Sequence, residues 1–467
     1  MANMTLGYRA LTRFGLGPRG DDDIAAAARD PRGLLKAELA DPGLALLDAP
    51  GLVRSADAAK MLFARVAEVK RESERKPDMP AMGPAAAPAP PPQKPPPTPE
   101  GMVFRAEAFA RIKRAAEAKA GFVERLVAFW SNHFAVSAAK SGFLRVTAGP
   151  FEREAIRPHV LGRFADMLAA VERHPAMLAY LDNNLSIGPD SPAGKNRRRG
   201  LNENLAREIL ELHTLGVGGG YRQADVIALA NMLTGWAFVG AAGVLGEPGA
   251  FVFNVNTHQP GPQTMMGRVY PAGGVGQAEG ALADLARHPA TARFVATKLV
   301  RHFVADEPPP ALVETLARTF RDTEGDLRAV SLALVDSDAA WSAPPTKLRS
   351  PWEFLVAAWR LTRRPGEDLG PILGWLTMLG QPLWQPAAPN GFSDLSADWA
   401  TPENLKLRLD VAARLAERVR DLPDPRDILE RSVGAAASEQ TRMAIARAES
   451  RQQGLALLLM SPEMQRR

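Results

Sequence analysis

Cysteine is absent from all 467 positions of the chain. That absence excludes disulfides, thiolate nucleophiles, Cys-ligated zinc and iron–sulfur clusters, and it is neutral about compartment. Long apolar runs are missing too. Nothing approaches the roughly 18 residues needed to span a bilayer, and the longest candidate, 454–460, reads as the end of a core helix. The N-terminal stretch has no continuous apolar segment followed by a cleavage site, so a cytoplasmic protein is expected. Charge of one sign is scarce: 57 Lys and Arg face 52 Asp and Glu, a formal net charge of +5. Nucleic-acid binding requires basic residues gathered into a stripe, and none is present, so no nucleic-acid partner is expected. No GxxxxGK[ST] phosphate loop occurs, and neither does an HExxH or ExxH metal spacing.

Hydrophobic residues make up 46% of the chain, enough for a sizeable core. The pattern is helical nearly throughout. The expected fold is mainly α, a large multi-helix domain with one small β-hairpin excursion. Its strands are Phe251–Asn256 and Thr264–Tyr270, turned by the segment HQPGP. Residues 1–75 read as N-terminal helices of the main domain. Residues 76–99, rich in proline and alanine, read as a disordered linker or loop. Residues 100–467 form the main helical domain. Two helix entries share one device, His174-Pro175 and His288-Pro289, each placing His at the cap and Pro at the first helical position. Pro150 is expected to open a short helix in the same way. The stretch Gly380–Asp394 is irregular, aromatic and long, a type of loop that often carries function.

The main domain is organised around residues 199–238. Asn202 caps a helix expected to reach Thr214, a glycine cluster at 216–220 stops it, and a second helix runs from Ala224 to Thr234. Projected at about 100° per residue, the first helix puts Asn204, Arg207, Glu208 and Glu211 in one polar sector, with Leu205, Ile209 and Leu212 packing into the protein. His213 falls on the apolar side. Two carboxylates at i and i+3 suit either a hard cation or a shared proton, so Glu208 and Glu211 are the candidate catalytic pair and the candidate ligands of a divalent metal. The bland counterpart is a solvated face on which Arg207 pairs with Glu211. His133 and His213 read as core histidines that become catalytic only if the fold brings them to the carboxylates. His258 sits in the HQPGP turn. Arg197, Arg198 and Arg199, just ahead of the helix N-terminus, form a candidate anion site.

The runs NENLAREILELHTLGVGGGY, FWSNHFAVS, RHPAMLAYLDN and RHPATARFVATKLVRHFVAD together resemble the bacterial family known as domain of unknown function 1800. The resemblance implies a His-Asp pair where this chain has His258-Gln259, which puts the orientation of His258 in question. It also implies a Thr-x-x-Asp capping box where Arg222 precedes Asp225. Family members are often encoded beside sulfatase- or phosphatase-like proteins. Two functions follow. One is a hydrolase or metal-assisted enzyme using a Glu208/Glu211 polar pocket. The other is a helical binding or assembly partner of such a protein, with the motif serving as a structural polar network.

Overall fold

The computed structural model describes residues 2–19, 23–75, 97–196, 200–362, 370–419 and 422–467. Most of the expected proline-rich linker and the expected anion site at Arg197, Arg198 and Arg199 lie outside the described residues. What is described is mainly helical, with four strands of three residues each. No helix among the described residues is long and apolar enough to cross a membrane.

Helix starts follow local side-chain chemistry. Thr98 accepts a hydrogen bond from the Gly101 N–H and opens α1 (Pro99–Glu117). Next come α2 (Phe122–His133), α3 (Gly142–Phe151) and α4 (Phe164–Arg173). His174 Nδ1 accepts from the Ala176 N–H at 3.1 Å to start α5 (Pro175–Tyr180). His288 repeats the geometry on Ala290, also at 3.1 Å, as the sequence predicts. Pro150 does not start a helix. It lies inside α3, and the chain continues beyond it as a π turn, Glu152–Ile156.

The central segment is α6 (Asn204–Glu208), then a π turn (Ile209–His213), then α7 (Gln223–Leu233). Leu205, Ile209 and Leu210 are fully buried, whereas Leu212 is only partly so. Gly216 adopts φ +81 where the segment ends, and a Cβ there would meet the Phe294 ring at 2.8 Å, so glycine answers both needs. One cluster of buried apolar residues runs from Ala10 to Met464, with a small satellite of Ala58, Leu62, Val103 and Val146. Within it lie α8 (Pro289–Phe303) and α9 (Pro351–Thr362).

The β excursion is two separate antiparallel ribbons. β1 (Trp236–Phe238) pairs with β2 (Phe251–Phe253), and β3 (Gln263–Met265) pairs with β4 (Arg268–Tyr270). The two strands expected from sequence therefore do not pair with each other through HQPGP. The reason is local. Met266 and Gly267 both take positive φ, +48 and +79, which suits the tight two-residue turn that closes β3 on β4.

Candidate functional site

The π turn decides which side chains share a side of the central segment. In an α-helix Glu208 and His213, five residues apart, point away from each other. A turn closed i→i+5 narrows the angle between residues five apart, and the His213 charge is felt at Glu208. The carbonyls released by this geometry are satisfied locally. Thr214 Oγ1 donates to the Ile209 carbonyl at 2.6 Å, and His133 Nε2 meets the His213 carbonyl at 3.1 Å. His133 is buried, and its pKa lies well below the ordinary value because of burial first, then the charge of Lys298 and the neighbouring His213. It is thus a neutral imidazole pinning the π turn, the structural role expected of a core histidine.

His213 is itself fully buried, with Nδ1 2.8 Å from Glu172 Oε1 on α4. Its Nε2 and the second Glu172 oxygen have no hydrogen-bond partner. A carboxylate on Nδ1 fixes the ring and its tautomer, which leaves Nε2 as the acceptor when the ring is neutral.

Glu208 and Glu211 are half-buried, and neither forms an ion pair or hydrogen bond with a described residue. The expected Arg207–Glu211 pair is not made. Arg207 turns back one turn to Glu203 at 2.9 Å and also donates to Gln223 Oε1 at 3.1 Å, while Gln223 Nε2 donates to Glu203 at 2.7 Å. This closed triangle ties α6 to α7 and uses up the arginine. Asn204 is exposed, and its backbone N–H is capped by Asn202 Oδ1 at 2.9 Å, so it frames the helix start. Asn202 Nδ2 in turn donates to the Asp182 carbonyl at 3.2 Å.

Burial raises the Glu208 pKa, the Glu211 charge adds to the rise, and His213 and Arg207 oppose it. Tyr180 is pushed up to about 12 by burial and then by the Glu208 charge, so its hydroxyl stays protonated at neutral pH. Tyr221 is also raised, by burial and then by Glu211. The charges of this carboxylate pair are thus felt at two phenols, Tyr180 and Tyr221, and Glu208 in turn feels His213. Tyr180 lies inside RHPAMLAYLDN, yet nothing in its spacing announces that it feels the Glu208 charge. Glu172 pairs with His213 across 41 residues, a separation no local pattern reveals.

His258 stands apart from this group. Its Nδ1 is 2.8 Å from the Thr234 carbonyl, and Gln259 instead exchanges hydrogen bonds with Asp190. Backbone therefore holds His258 where a neighbouring carboxylate was expected. Asp225 keeps half of the expected capping box, because its Oδ2 accepts the Arg222 N–H at 2.7 Å. Its other oxygen accepts from Met266 N and anchors the β3–β4 turn. Among the described residues no group of three or more His, Asp and Glu could hold a metal ion. As metal candidates, Glu208 and Glu211 thus find no third His, Asp or Glu ligand among the described residues.

A family model described as a protein of unknown function, DUF1800, matches residues 9–466. The chain belongs to the DUF1800 family. No curated protein and no solved structure matches the chain. The DUF1800 match covers α6, the π turn and α7 together with their supports on α2, α4 and α5.

Proposed function

We propose that this DUF1800 protein is a hydrolase working by general acid–base catalysis at Glu208. The observation that carries the reading is a half-buried carboxyl with a raised pKa and no ion pair, beside a second carboxylate. Unpaired carboxylates are disfavoured away from water, so a site that keeps two of them serves something other than stability. As carboxylate, Glu208 takes a proton from an attacking water. The water oxygen bonds to the electrophilic centre of the substrate, the bond to the leaving group breaks, and Glu208 returns the proton to that group. Tyr180, held protonated, supplies a hydrogen bond to the oxygen on which negative charge develops. Glu172 holds the His213 ring in the fold by its hydrogen bond to Nδ1.

The test compares the parent with Glu208→Gln on chromogenic esters, glycosides, phosphate esters and sulfate esters. We expect at least one class to be hydrolysed by the parent and about 10²-fold or more slowly by the variant. A parent inactive on all four classes, or equal rates in both proteins, overturns the reading. One arrangement favours the assembly-partner reading instead: the Glu172–His213–His133 network is wholly buried, as a polar core that fixes the helix arrangement would be. That reading, with a sulfatase- or phosphatase-like protein as partner, predicts that Glu208→Gln changes complex formation and no hydrolysis.

A further inference from the structure

A second site lies away from Glu208, where the 380–394 loop folds over α1, α2 and α9. A cleft of about 70 Å³ opens there. That is room for about five waters, or for a carboxylate with a short carbon tail. Its charged wall is Arg111, only 6% exposed. The guanidinium is built in from three directions. Nε donates to Glu152 Oε2 at 2.8 Å, the Trp352 ring covers one side at 4.2 Å, and the Trp384 ring stands at 5.8 Å. The two terminal nitrogens of Arg111, which lines the cleft, have no hydrogen-bond partner among the described residues. They keep contact with solvent through the cleft and are free to meet an acceptor that enters it.

The loop is held in position to make this wall. Trp384 takes φ +51, a region costly for a bulky side chain. Its indole N–H donates to Glu152 Oε2 at 3.0 Å, and its carbonyl accepts from Ala138 N at 2.7 Å. Asn132 exchanges two hydrogen bonds with the Phe392 backbone, at 2.8 and 2.7 Å. Gly391 lies so close to this helix that a Cβ would sit 2.4 Å from the Asn132 carbonyl.

The planar edge of the guanidinium identifies the ligand class. Ion pairs run from Arg111 through Glu152, Arg157 and Glu124 to Arg114, and Arg153 pairs with both Glu107 and Glu154, so four guanidiniums meet four carboxylates. Arg111 is the end of this chain of pairs that lines the cleft. The planar edge of a stacked arginine matches a planar carboxylate through two parallel hydrogen bonds. The geometry points to a binding site for a small monocarboxylate, with its carboxylate on Arg111 and a short tail towards Phe392. The inference does not depend on Glu208.

The test is titration of the intact protein with propionate, followed by calorimetry and tryptophan fluorescence, with sulfate as the tetrahedral control. Saturable binding of propionate, at least tenfold tighter than sulfate and at least tenfold weaker in Arg111→Lys, is expected. Lysine keeps the charge beside Glu152 and loses the planar fork. Should Arg111→Lys fail to fold, arginine-directed labelling of the parent, mapped by mass spectrometry, decides: propionate must slow labelling of Arg111. No saturation, sulfate binding as well as propionate, or Arg111 labelled at the same rate with and without propionate overturns the assignment.

Discussion

Two acidic regions of this protein handle charge in opposite ways. Around α9, Glu353 sits among Arg125 at 2.8 Å and Arg467 at 2.9 Å, and His302 Nδ1 reaches Asp394 at 2.7 Å. Burial pushes both carboxyls up, and the surrounding cations outweigh it: Glu353 ends far below the ordinary range and Asp394 at about 2. On the central segment, Glu208 has no ion-pair partner among the described residues, and burial carries its pKa upward. Similar groups thus take opposite shifts, and pairing makes the difference. Where every carboxylate has a cation the charges lock helices together; where a half-buried carboxylate is left alone, burial raises its pKa.

The largest effect should come from unpairing the locked region. Glu353→Gln leaves Arg125 and Arg467 buried without their carboxylate, and we predict a loss of about 3–5 kcal/mol in urea unfolding. An unchanged midpoint would mean that the network contributes nothing to the fold. Next, Ile209→Ala opens a cavity under the π turn at a fully buried position and should cost about 2–5 kcal/mol. Asp225→Asn weakens the α7 cap and the anchor to Met266, for about 1 kcal/mol. Glu208→Gln is the mildest, within about 0.5 kcal/mol at neutral pH, since no partner is lost.

The same contrast sets two pH dependences of opposite sign. Asp394 has a folded pKa below its unfolded one, so its contribution is present above about pH 4 and is lost as pH falls towards 2. Glu208 has a folded pKa above its unfolded value. Its favourable contribution is present below the unfolded pKa and is lost as pH rises through the folded one. Glu208→Gln should therefore flatten stability on the mildly acidic side only, as read from urea midpoints across pH.

Much of this was legible in the sequence. The helical class followed from apolar spacing. The His174 and His288 entries followed from His-Pro, because the capping bond spans only two residues. Glu208 and Glu211 stood out as a polar sector on an otherwise apolar helix. The π turn was not legible, since a 3.6-residue projection has no way to announce a wider turn; that projection put His213 on the apolar side, and it is buried there. Pairings decided by distant chain also escaped. Arg207 chose Glu203 and Gln223 over Glu211 once α7 arrived, and Glu172 reached His213 from α4. β2 pairs with β1, while the tight Met266-Gly267 turn pairs β3 with β4, a difference the apolar pattern does not show.

The central claim is that Glu208 stands unpaired with a raised pKa. Carboxyl carbon NMR of protein labelled at glutamate, with Glu208 assigned by its disappearance in Glu208→Gln, measures this directly. The account predicts a Glu208 midpoint above the ordinary 4.5, one that falls when Glu211 is replaced by Gln and its charge is removed. A midpoint at or below 4.5, or one indifferent to Glu211, would contradict it.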